Sequence, residues 1–363
     1  MNYSLLRKIN FKILIPAILL NIIGLLSISG LDFQGSNLFY FKRQLFFLIF
    51  SLFLSVLLSL IDLNFLKHNF SLILIFYFLF NLLLLLVLFF GKTVHGTKTW
   101  YQFWMFSFDP IFFAQIILIL LLSSFFSKKH LEINSLKTIL TSSFYPLVPF
   151  LLILLQPNLG SALTILVIWL GTLIFSEIKM KNILILVLIG LLFFSLGWFY
   201  FLKDYQKNRI LAFLNLKEDR YGISWNQNQS KIAIGSGKIF GKGIGKGSQT
   251  RYGFLPAART DFIFSAIAEE MGFVGISILL FLFLILFVSL INIALKANSN
   301  FLKLLAGSFS FLILGETFIN IGMCLGILPV IGIPLPFVSY GGSHLLASYS
   351  ALGIILSFEK IDK

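Results

Sequence analysis

The sequence predicts an all-α, polytopic integral membrane protein with about ten transmembrane helices. Of its 363 residues, 58% are hydrophobic and only 12% are charged, whereas a soluble domain carries about 25% charged residues. Apolar segments recur from one end of the chain to the other, and many approach the roughly 20 residues that cross a bilayer. A membrane β-barrel would instead show short segments of alternating hydrophobicity.

The individual spans follow from the apolar runs and from the residues that break helices. The first run follows a basic N-terminal stretch, but it is long and lacks a small-residue cleavage site, so we expect it to be retained as a helix. The motif QPNLG interrupts a longer apolar run at Pro157 and Gly160 and predicts a helical hairpin. The predicted spans are 13–30, 44–61, 71–90, 111–127, 141–156, 159–176, 183–202, 263–290, 304–327 and 341–358.

Lysine and arginine residues in the short loops predict the orientation of the chain. On one side lie Arg7, Lys8, Lys12, Lys67, Lys128, Lys129, Lys137, Lys179, Lys181, Lys296, Lys303, Lys360 and Lys363; the other side has Lys42, Arg43, Lys92 and Lys98. We therefore expect a single domain, 1–363, with both termini in the cytoplasm. The single cysteine, Cys324, permits no internal disulfide and suggests no metal site.

One long hydrophilic loop, residues 203–262, carries an excess of positive charge and is predicted on the outer side. Such a surface attracts anionic lipid or a pyrophosphate-bearing substrate, although a solvated face near anionic lipids is an equal alternative. Its stretch IAIGSGKIFGKGIGKGSQ lacks the spacing of a nucleotide-binding loop. Glycine amides beside Lys238, Lys242 and Lys246 could cradle a diphosphate, but a flexible loop is the simpler interpretation.

The stretch FLPAARTDFIFSAIAEEMG places Asp261 at the start of an apolar run. We expect Thr260 to cap a helix beginning near Asp261, and a first-turn carboxylate complements the helix dipole. Asp261, Ser265, Ala268 and Gly272 would share one small-residue face that suits helix packing. An ionisable group placed there is a candidate general base near the membrane surface.

Other polar and helix-breaking residues lie in the last spans. Glu269, Glu270 and Glu316 need partners or water inside the bundle, and they could simply tie helices together. Gly322 and Gly326 form a G-x-x-x-G pattern, which usually marks a helix-packing face.

The stretch LPVIGIPLPFVSYGGS cannot form a regular helix because it contains Pro329, Pro334 and Pro336. Its backbone should therefore line a region covered by protein or water. Ser339, Tyr340 and Ser343 could bind sugar hydroxyls, with a capped helix start at the glycine pair as the alternative.

Five stretches carry a resemblance to a known family: RQLFF, QPNLGSALTIL, NQSKIAIGSGKIFGKGIGKGSQ, FLPAARTDFIFSAIAEEMGFVG and INIGMCLGILPVIGIPLPFVSYGGS. In order and spacing they resemble the SEDS family of cell-wall glycosyltransferases over nearly the whole chain. The last stretch is more similar to the elongation branch, represented by RodA, than to the division branch, represented by FtsW.

The resemblance implies an enzyme that polymerises lipid II into glycan strands on the outer face of the membrane. It would work among membrane lipids with a class B penicillin-binding protein and with no nucleic acid. Asp261 falls on the family's essential aspartate and would deprotonate the attacking sugar hydroxyl. From their charge and their proximity to Asp261, we expect Lys242, Lys246, Arg251 and Arg259 to lie near the substrate pyrophosphate, and from their hydroxyl groups we expect Ser339 and Ser343 to bind substrate. The resemblance further implies a divalent cation, Mg²⁺ or Mn²⁺, for which the sequence shows no ligand cluster.

Several positions depart from the family pattern. Ala257 and Arg259 replace a glutamate and a histidine, and Asn158 replaces an aspartate. In FDPIFFAQ, Asp109, Phe112 and Gln115 replace glutamine, glutamate and lysine, of which the last two would pair three residues apart on one helix.

The departures keep two alternative functions open. Loss of the charged pair allows a weakly catalytic scaffold that activates a penicillin-binding protein. An intramembrane Glu316 allows a transporter of lipid-linked precursors.

Overall fold

The structure, a computed structural model, describes residues 10–32, 38–94, 97–103, 106–129, 132–200, 207 and 223–362. Most of residues 203–222, the first part of the predicted outer loop, therefore lie outside the described residues, as do Arg7, Lys8 and Lys363.

Helices dominate the described chain. They are α1 Phe11–Asp32, α2 Phe39–Leu60, α3 Asn64–His68, α4 Phe70–Phe90, α5 Ile111–Lys128, α6 Leu136–Leu155, α7 Leu159–Phe175, α8 Met180–Tyr200, α9 Ile223–Ser236, α10 Ser248–Arg251, α11 Ile263–Lys296, α12 Asn300–Leu325 and α13 Gly342–Asp362. Within the described residues, seven helices are long and apolar enough to cross a membrane, namely α1, α2, α4, α5, α6, α11 and α12. The other three predicted spans coincide with α7, α8 and α13, except that residues 201 and 202 lie outside the described residues. The prediction of a multi-pass helical membrane protein is confirmed.

The QPNLG motif forms the predicted helical hairpin. Helix α6 ends at Leu155 and α7 begins at Leu159, and the two helices pack against each other. Asn158 caps α7, because its side chain accepts a hydrogen bond from the amide of Ser161 at 3.1 Å. The Gln156 side chain donates to the carbonyl of Leu84 at 2.8 Å and ties the hairpin to α4.

A small antiparallel sheet between α4 and α5 was not predicted. Its strands β1 Lys92–Val94, β2 Thr97–Phe103 and β3 Phe106–Phe108 lie in that order, with Thr93 opposite Lys98 and Gln102 opposite Ser107. The outer strands have only three residues each, too few for a clear alternating pattern. The sheet leads directly into α5 and lies on the same face of the protein as the described part of the loop 203–262.

Close backbone approaches at small residues hold the bundle together. Helix α13 packs along α2, α11 along α1, and α12 between α7 and α11. A Cβ added to Gly24 in α1 would lie 2.3 Å from the carbonyl oxygen of Val338, and one added to Gly353 in α13 would lie 2.5 Å from that of Ser55. In a bilayer the hydrophobic effect does not drive helices together, because lipid tails are as apolar as the helix surfaces. Close contacts of this kind therefore supply van der Waals attraction between the helices.

Contacts between loops show that the two described ends of the chain lie on the same face. Asn10 donates to Glu359 at 3.0 Å, and Ser357 donates to the carbonyl of Ile61 at 2.7 Å. This first face also brings together Glu177 with Lys303, and Lys179 with Asn134. The opposite face brings together Asp32 with Arg259, Arg43 with Ser107, and Asp109 with Ser343.

Gly24 gives a test of this packing. Gly24→Ala should lower the stability of the protein by about 1–3 kcal/mol, because the new methyl group overlaps a backbone atom of the neighbouring segment. Gly190→Ala is the matched control, since a Cβ at Gly190 meets nothing within 4 Å; it should leave stability unchanged or raise it by about 0.5–1 kcal/mol. Thermal unfolding in detergent measures both, and equal midpoints for the two variants would contradict the packing described here.

Candidate active site

Asp261 lies in a turn that precedes α11. We call residues 257–262 the Asp261 turn; the amides of Thr260 and Phe262 both donate to the carbonyl of Ala257. The helix begins at Ile263 with no side-chain cap, and the Thr260 hydroxyl donates to Ala257 instead. The prediction of a helix that begins near Asp261 is therefore confirmed, whereas the predicted cap at Thr260 is wrong, because the amides of Thr260 and Phe262 bond to the carbonyl of Ala257. Asp261 is partly exposed.

Asn320 of α12 fixes the backbone of Asp261. Its buried side-chain amide donates to the carbonyl of Asp261 at 2.9 Å and to that of Ile333 at 2.7 Å. A Cβ added to Gly332 would lie 3.3 Å from Oδ2 of Asp261, so the carboxylate faces this glycine, whose φ is +71°. One amide thus joins the Asp261 turn to the nonhelical segment 327–341, which we call the proline segment.

Ser339 makes a second connection between the Asp261 turn and the proline segment. Its hydroxyl donates to the carbonyl of Thr260 at 2.7 Å and accepts from the amide of Leu335 at 2.8 Å. The amide of Tyr340 donates to the carbonyl of Arg259 at 2.8 Å. Ser339 is buried and its hydroxyl is engaged with backbone, so here it supports the position of Asp261.

Arg259 attaches the Asp261 turn to the C-terminal end of α1. Its Nε donates to Oδ1 of Asp32 at 3.1 Å and its Nη2 donates to the carbonyl of Leu31 at 2.8 Å. The guanidinium also lies over the ring of Tyr40, 4.6 Å from the centroid. The side chain of Asp32 is only 4% exposed, so Arg259 neutralises a buried carboxylate.

Asp109 and Ser343 meet where the sheet, α5 and α13 converge. The amide of Asp109 donates to the Ser343 hydroxyl at 3.0 Å, and Oδ1 of Asp109 accepts from the amide of Ile111 at 3.0 Å, capping α5. Burial raises the pKa of Asp109 to about 7, although the hydrogen bond from Ile111 acts in the opposite direction. Ser343, like Ser339, is buried and bonded within the chain.

Residues 237–247, the glycine-rich loop, are folded around α11. Lys242 donates from Nζ to Oε1 of Glu269 at 2.8 Å, and the amides of Gln249 and Thr250 donate to the same carboxylate at 2.9 and 3.0 Å. Glu269 is fully buried. The sequence predicted that this carboxylate needs partners, and the loop supplies them.

The loop backbone also pairs with α11. The amides of Lys242 and Gly243 donate to the carbonyls of Glu269 and Glu270, and the amide of Gly245 donates to Oε1 of Glu270 at 2.9 Å. A flexible loop was therefore the wrong interpretation. The amides that the sequence offered to a diphosphate are, at these three positions, bonded to the protein's own carbonyl and carboxylate oxygens.

Lys246 and Arg251 remain exposed near this loop. Within the described ranges, neither forms an ion pair with an acidic side chain. Of the predicted substrate-binding residues, these two are open to a ligand. Lys242 and Arg259 are held in ion pairs, and Ser339 and Ser343 in hydrogen bonds.

Gly326 has a different role from the one its G-x-x-x-G pattern suggested. It ends α12 in the left-handed conformation with φ +79°, and the amides of Ile327 and Leu328 donate back to the carbonyl of Gly322. This is a helix C-cap, so the prediction of a helix-packing face is wrong. The cap turns the chain into the proline segment, which is nonhelical as the three prolines predicted.

Sequence reasoning missed three residues that shape the site. Asn320 and Asp32 were visible as polar residues within or at the end of apolar spans. Gln227 of α9 donates from its side chain to the carbonyls of Met323 and Leu328, at 3.1 and 2.8 Å. Only the folded chain shows that Asn320 and Asp32 hold the Asp261 turn and that Gln227 holds the end of α12.

No group of three or more His, Cys, Asp or Glu side chains that could hold a metal ion occurs among the residues that the structure describes. The carboxylate of Asp261 faces a glycine, and Glu269 and Glu270 are hydrogen-bonded to the glycine-rich loop. The described side chains therefore do not build a site for the divalent cation that the family resemblance implies.

The family follows from comparison with known proteins. The profile of the FtsW/RodA/SpoVE family, described as cell cycle protein, matches residues 6–363. The chain belongs to this family. The peptidoglycan glycosyltransferase MrdB of Escherichia coli K12 is 37% identical over 281 residues, which cover 77% of this chain and 76% of that protein. The probable peptidoglycan glycosyltransferase FtsW of Wigglesworthia glossinidia brevipalpis is 34% identical over 365 residues, covering 96% and 92%.

Solved structures show the same fold. A chain in a peptidoglycan synthase complex, studied for the coordination of polymerization and crosslinking, superposes with a TM-score of 0.82 at 27% identity, covering 98% of each chain. The rod shape determining protein RodA of Thermus thermophilus superposes with a TM-score of 0.72 at 24% identity, covering 98% of this chain and 97% of that one.

The Arg259 attachment can be tested in this FtsW/RodA/SpoVE family member by unfolding. Arg259→Ala should lower stability by about 1–2 kcal/mol, because it leaves the buried carboxylate of Asp32 without its cationic partner. Arg251→Ala removes an exposed arginine from the same face and should change stability by less than about 0.5 kcal/mol. In the double variant Arg259→Ala/Asp32→Asn, part of the loss should be recovered; equal losses for Arg259→Ala and Arg251→Ala would contradict the attachment.

Asp109 predicts a pH dependence of stability. Its pKa rises from 3.8 to about 7 on folding, so its contribution favours the folded state most below pH 3.8 and is lost as the pH rises through about 7. Asp109→Asn keeps the oxygen acceptor for Ile111 and cannot ionise. Relative to the native protein, the variant should gain stability between pH 5 and pH 8, with an upper limit on the order of 4 kcal/mol. If the unfolding midpoints of the native protein and of the Asp109→Asn variant change in parallel across this pH range, the raised pKa of Asp109 is contradicted.

Proposed function

We propose that this chain is a peptidoglycan glycosyltransferase that polymerises lipid II into glycan strands at the outer face of the cytoplasmic membrane during cell elongation. The family membership and the names of the relatives support this activity. The structural observation that carries the proposal is the placement of Asp261: a partly exposed carboxylate on a turn whose backbone is held from α1, α12 and the proline segment.

Asp261 would act as the general base. One lipid-linked sugar presents its 4-hydroxyl, the carboxylate takes the hydroxyl proton, and the oxygen forms a bond to the anomeric carbon of a second lipid-linked molecule. The bond from that carbon to the pyrophosphate breaks, and the electron pair leaves with undecaprenyl pyrophosphate. The fixed turn supplies orientation, since a base that is already positioned needs no rearrangement during the reaction.

Lys246 and Arg251 would stabilise the charge of the pyrophosphate leaving group. Both are exposed on the same face as Asp261, and preorganised cations near a developing negative charge lower the barrier. Lys242 supports them indirectly, because its bond to Glu269 fixes the loop that carries Lys246. A divalent cation held by the pyrophosphate of the substrate would add to this charge stabilisation. The described residues contain no group of three or more His, Cys, Asp or Glu side chains that could hold it.

The orientation and the partner belong to the same proposal. The face with Lys12, Lys67 and Lys303 is the cytoplasmic one by the positive-inside rule, which places both termini in the cytoplasm of a bacterial inner membrane and Asp261 outside. A class B penicillin-binding protein would crosslink the strands. The superposition on a chain of a peptidoglycan synthase complex supports such a partner.

A transporter of lipid-linked precursors receives less support from the structure. Its main sequence argument was Glu316, whose Oε2 lies 3.2 Å from Nε2 of His344, with both side chains buried. Two buried groups that partner each other serve to join helices α12 and α13 and do not line an open passage.

The proposal is tested with purified protein and lipid II. Asp261→Asn keeps the size of the side chain and removes the base, so polymer formation should fall by about two orders of magnitude or more. Asp62→Asn is the matched control, because Asp62 is an exposed carboxylate on the opposite face that only caps Asn64; it should polymerise like the native protein. Normal polymerisation by a folded Asp261→Asn variant would overturn the assignment, and absence of polymer from the native protein, alone and with a class B partner, would favour the scaffold function.

A further inference from the structure

The tip of the glycine-rich loop is strongly apolar at the surface. Phe240 is 81% exposed and Ile239 is 59% exposed, although both lie in a well-bonded turn. The amide of Gly241 donates to the carbonyl of Gly237 at 2.8 Å, so the turn presents these two side chains outward. In water, an exposed phenylalanine beside an exposed isoleucine would be unfavourable.

The position of this tip is set by the kink in α11. At Gly272, where φ is +67°, the helix is interrupted; the amides of Phe273 and Val274 donate to the carbonyls of Lys238 and Ile239 at 2.9 and 3.1 Å. The loop tip is thus fixed beside the first residues that follow the kink.

The part of α11 after the kink is the membrane-crossing part. Residues 273–296 extend about 36 Å at 1.5 Å per residue, slightly more than the roughly 30 Å of the hydrocarbon core. Since Lys296 ends the helix at the face opposite Asp261, Phe273 lies at the outer boundary of the bilayer.

A stripe of exposed apolar residues runs along this part of α11 at helical spacing and marks its lipid-facing side. Its members are Phe273, Val274, Ile278, Phe281, Leu284, Val288, Ile291 and Leu295. The carbonyls of Lys238 and Ile239 accept the hydrogen bonds from the first two members, so Ile239 and the adjacent Phe240 extend the stripe at the kink. Lys238 and Lys246 are exposed on the same loop, at a level where ammonium groups meet anionic headgroups.

We propose that Ile239 and Phe240 insert into the outer leaflet of the bilayer and anchor the glycine-rich loop at the boundary between headgroups and acyl chains. The occupant of this surface is lipid, because the apolar tip is continuous with a lipid-facing stripe and is flanked by lysines. The anchor holds Lys246 at the height of the headgroups. This inference concerns the membrane and does not depend on the proposed catalytic activity.

The test uses spin labels on full-length protein in vesicles of phosphatidylcholine and phosphatidylglycerol. Phe240→Cys carries the label of interest, Phe281→Cys is the lipid reference in the exposed stripe, and Lys42→Cys is the water reference on the outer face. The native Cys324 is buried, and labelling of the native protein measures its background. Collisions with oxygen report lipid, and collisions with a water-soluble nickel chelate report water.

The label at position 240 should collide with oxygen several-fold more than with nickel, as at position 281. A label that follows position 42 would overturn the anchor. An immobile label shielded from both reagents would also overturn it, because that result would indicate a contact with protein. Phe240→Asp, assayed in the same vesicles through a label at Ile244, should lower the oxygen collisions there, whereas Phe240→Leu should preserve them.

Discussion

The buried carboxylate of Glu269 organises the face of this protein that carries the Asp261 turn. A carboxylate removed from water is destabilised by several kcal/mol unless hydrogen bonds and a cation replace the water. Glu269 receives the ammonium of Lys242 and the amides of Gln249 and Thr250, so satisfying one side chain fixes the chain from the glycine-rich loop to α10. Glu269 lies within the short part of α11 before its kink and Asp261 immediately precedes that part, so the loop and the candidate base are attached to the same helical segment.

The kink at Gly272 divides α11 into two parts with different surroundings. A Cβ there would lie 2.3 Å from the amide nitrogen of Gly241, and a Cβ on Gly241 would lie 2.1 Å from the carbonyl of Glu270. Two glycines with positive φ therefore allow the loop backbone to approach the helix backbone. Before the kink the helix carries protein contacts on nearly every side, and after it one side faces lipid.

The membrane-spanning helices could be predicted because they follow from the hydrophobic composition of the chain. Membrane-length apolar runs leave the chain few alternatives to helices, and Pro157 with Gly160 allowed the hairpin to be located. Prediction from the sequence was less successful where backbone amides and carbonyls hydrogen-bond to one another. Thr260 has the chemistry of a helix cap, and Gly322 with Gly326 has the spacing of a packing face. In the structure, a local turn replaces the first and a helix C-cap explains the second.

The candidate site was predictable at Asp261 and less so around it. Asp261 could be singled out because a carboxylate beside an apolar run is costly and because the motif resembles a known family. The residues that hold the Asp261 turn could not be predicted in this way, because they are distant from it in sequence. Asn320 donates to the backbone carbonyl of Asp261, and Asp32 accepts a hydrogen bond from Arg259. Charge alone suggested that Arg259 and Lys242 face the substrate, whereas each is held by a buried carboxylate of the chain.

The replacement of the family's charged pair by Phe112 and Gln115 is coherent with this arrangement. The Phe112 ring packs on that of His344, with centroids 4.7 Å apart, and Gln115 donates to the hydroxyl of Thr164. His344 in turn contacts Glu316 of α12. Phe112 and Gln115 each have a partner and neither carries a charge, which agrees with the loss of both members of the pair together.

The same cluster lies between two supports of the Asp261 turn. Glu316 precedes Asn320 by one turn of α12, and His344 follows Ser339 across the start of α13. Contact between Glu316 and His344 therefore holds α12 against α13 at the level where Asn320 bonds Asp261 and Ser339 bonds Thr260. Because Asn320 lies on α12 and the chain from Ser339 leads directly into α13, we expect the contact between Glu316 and His344 to help keep these two supports of the Asp261 turn in place. Phe112 and Gln115 have partners in this arrangement, so the replacement of the charged pair gives no structural reason to favour a scaffold over an enzyme.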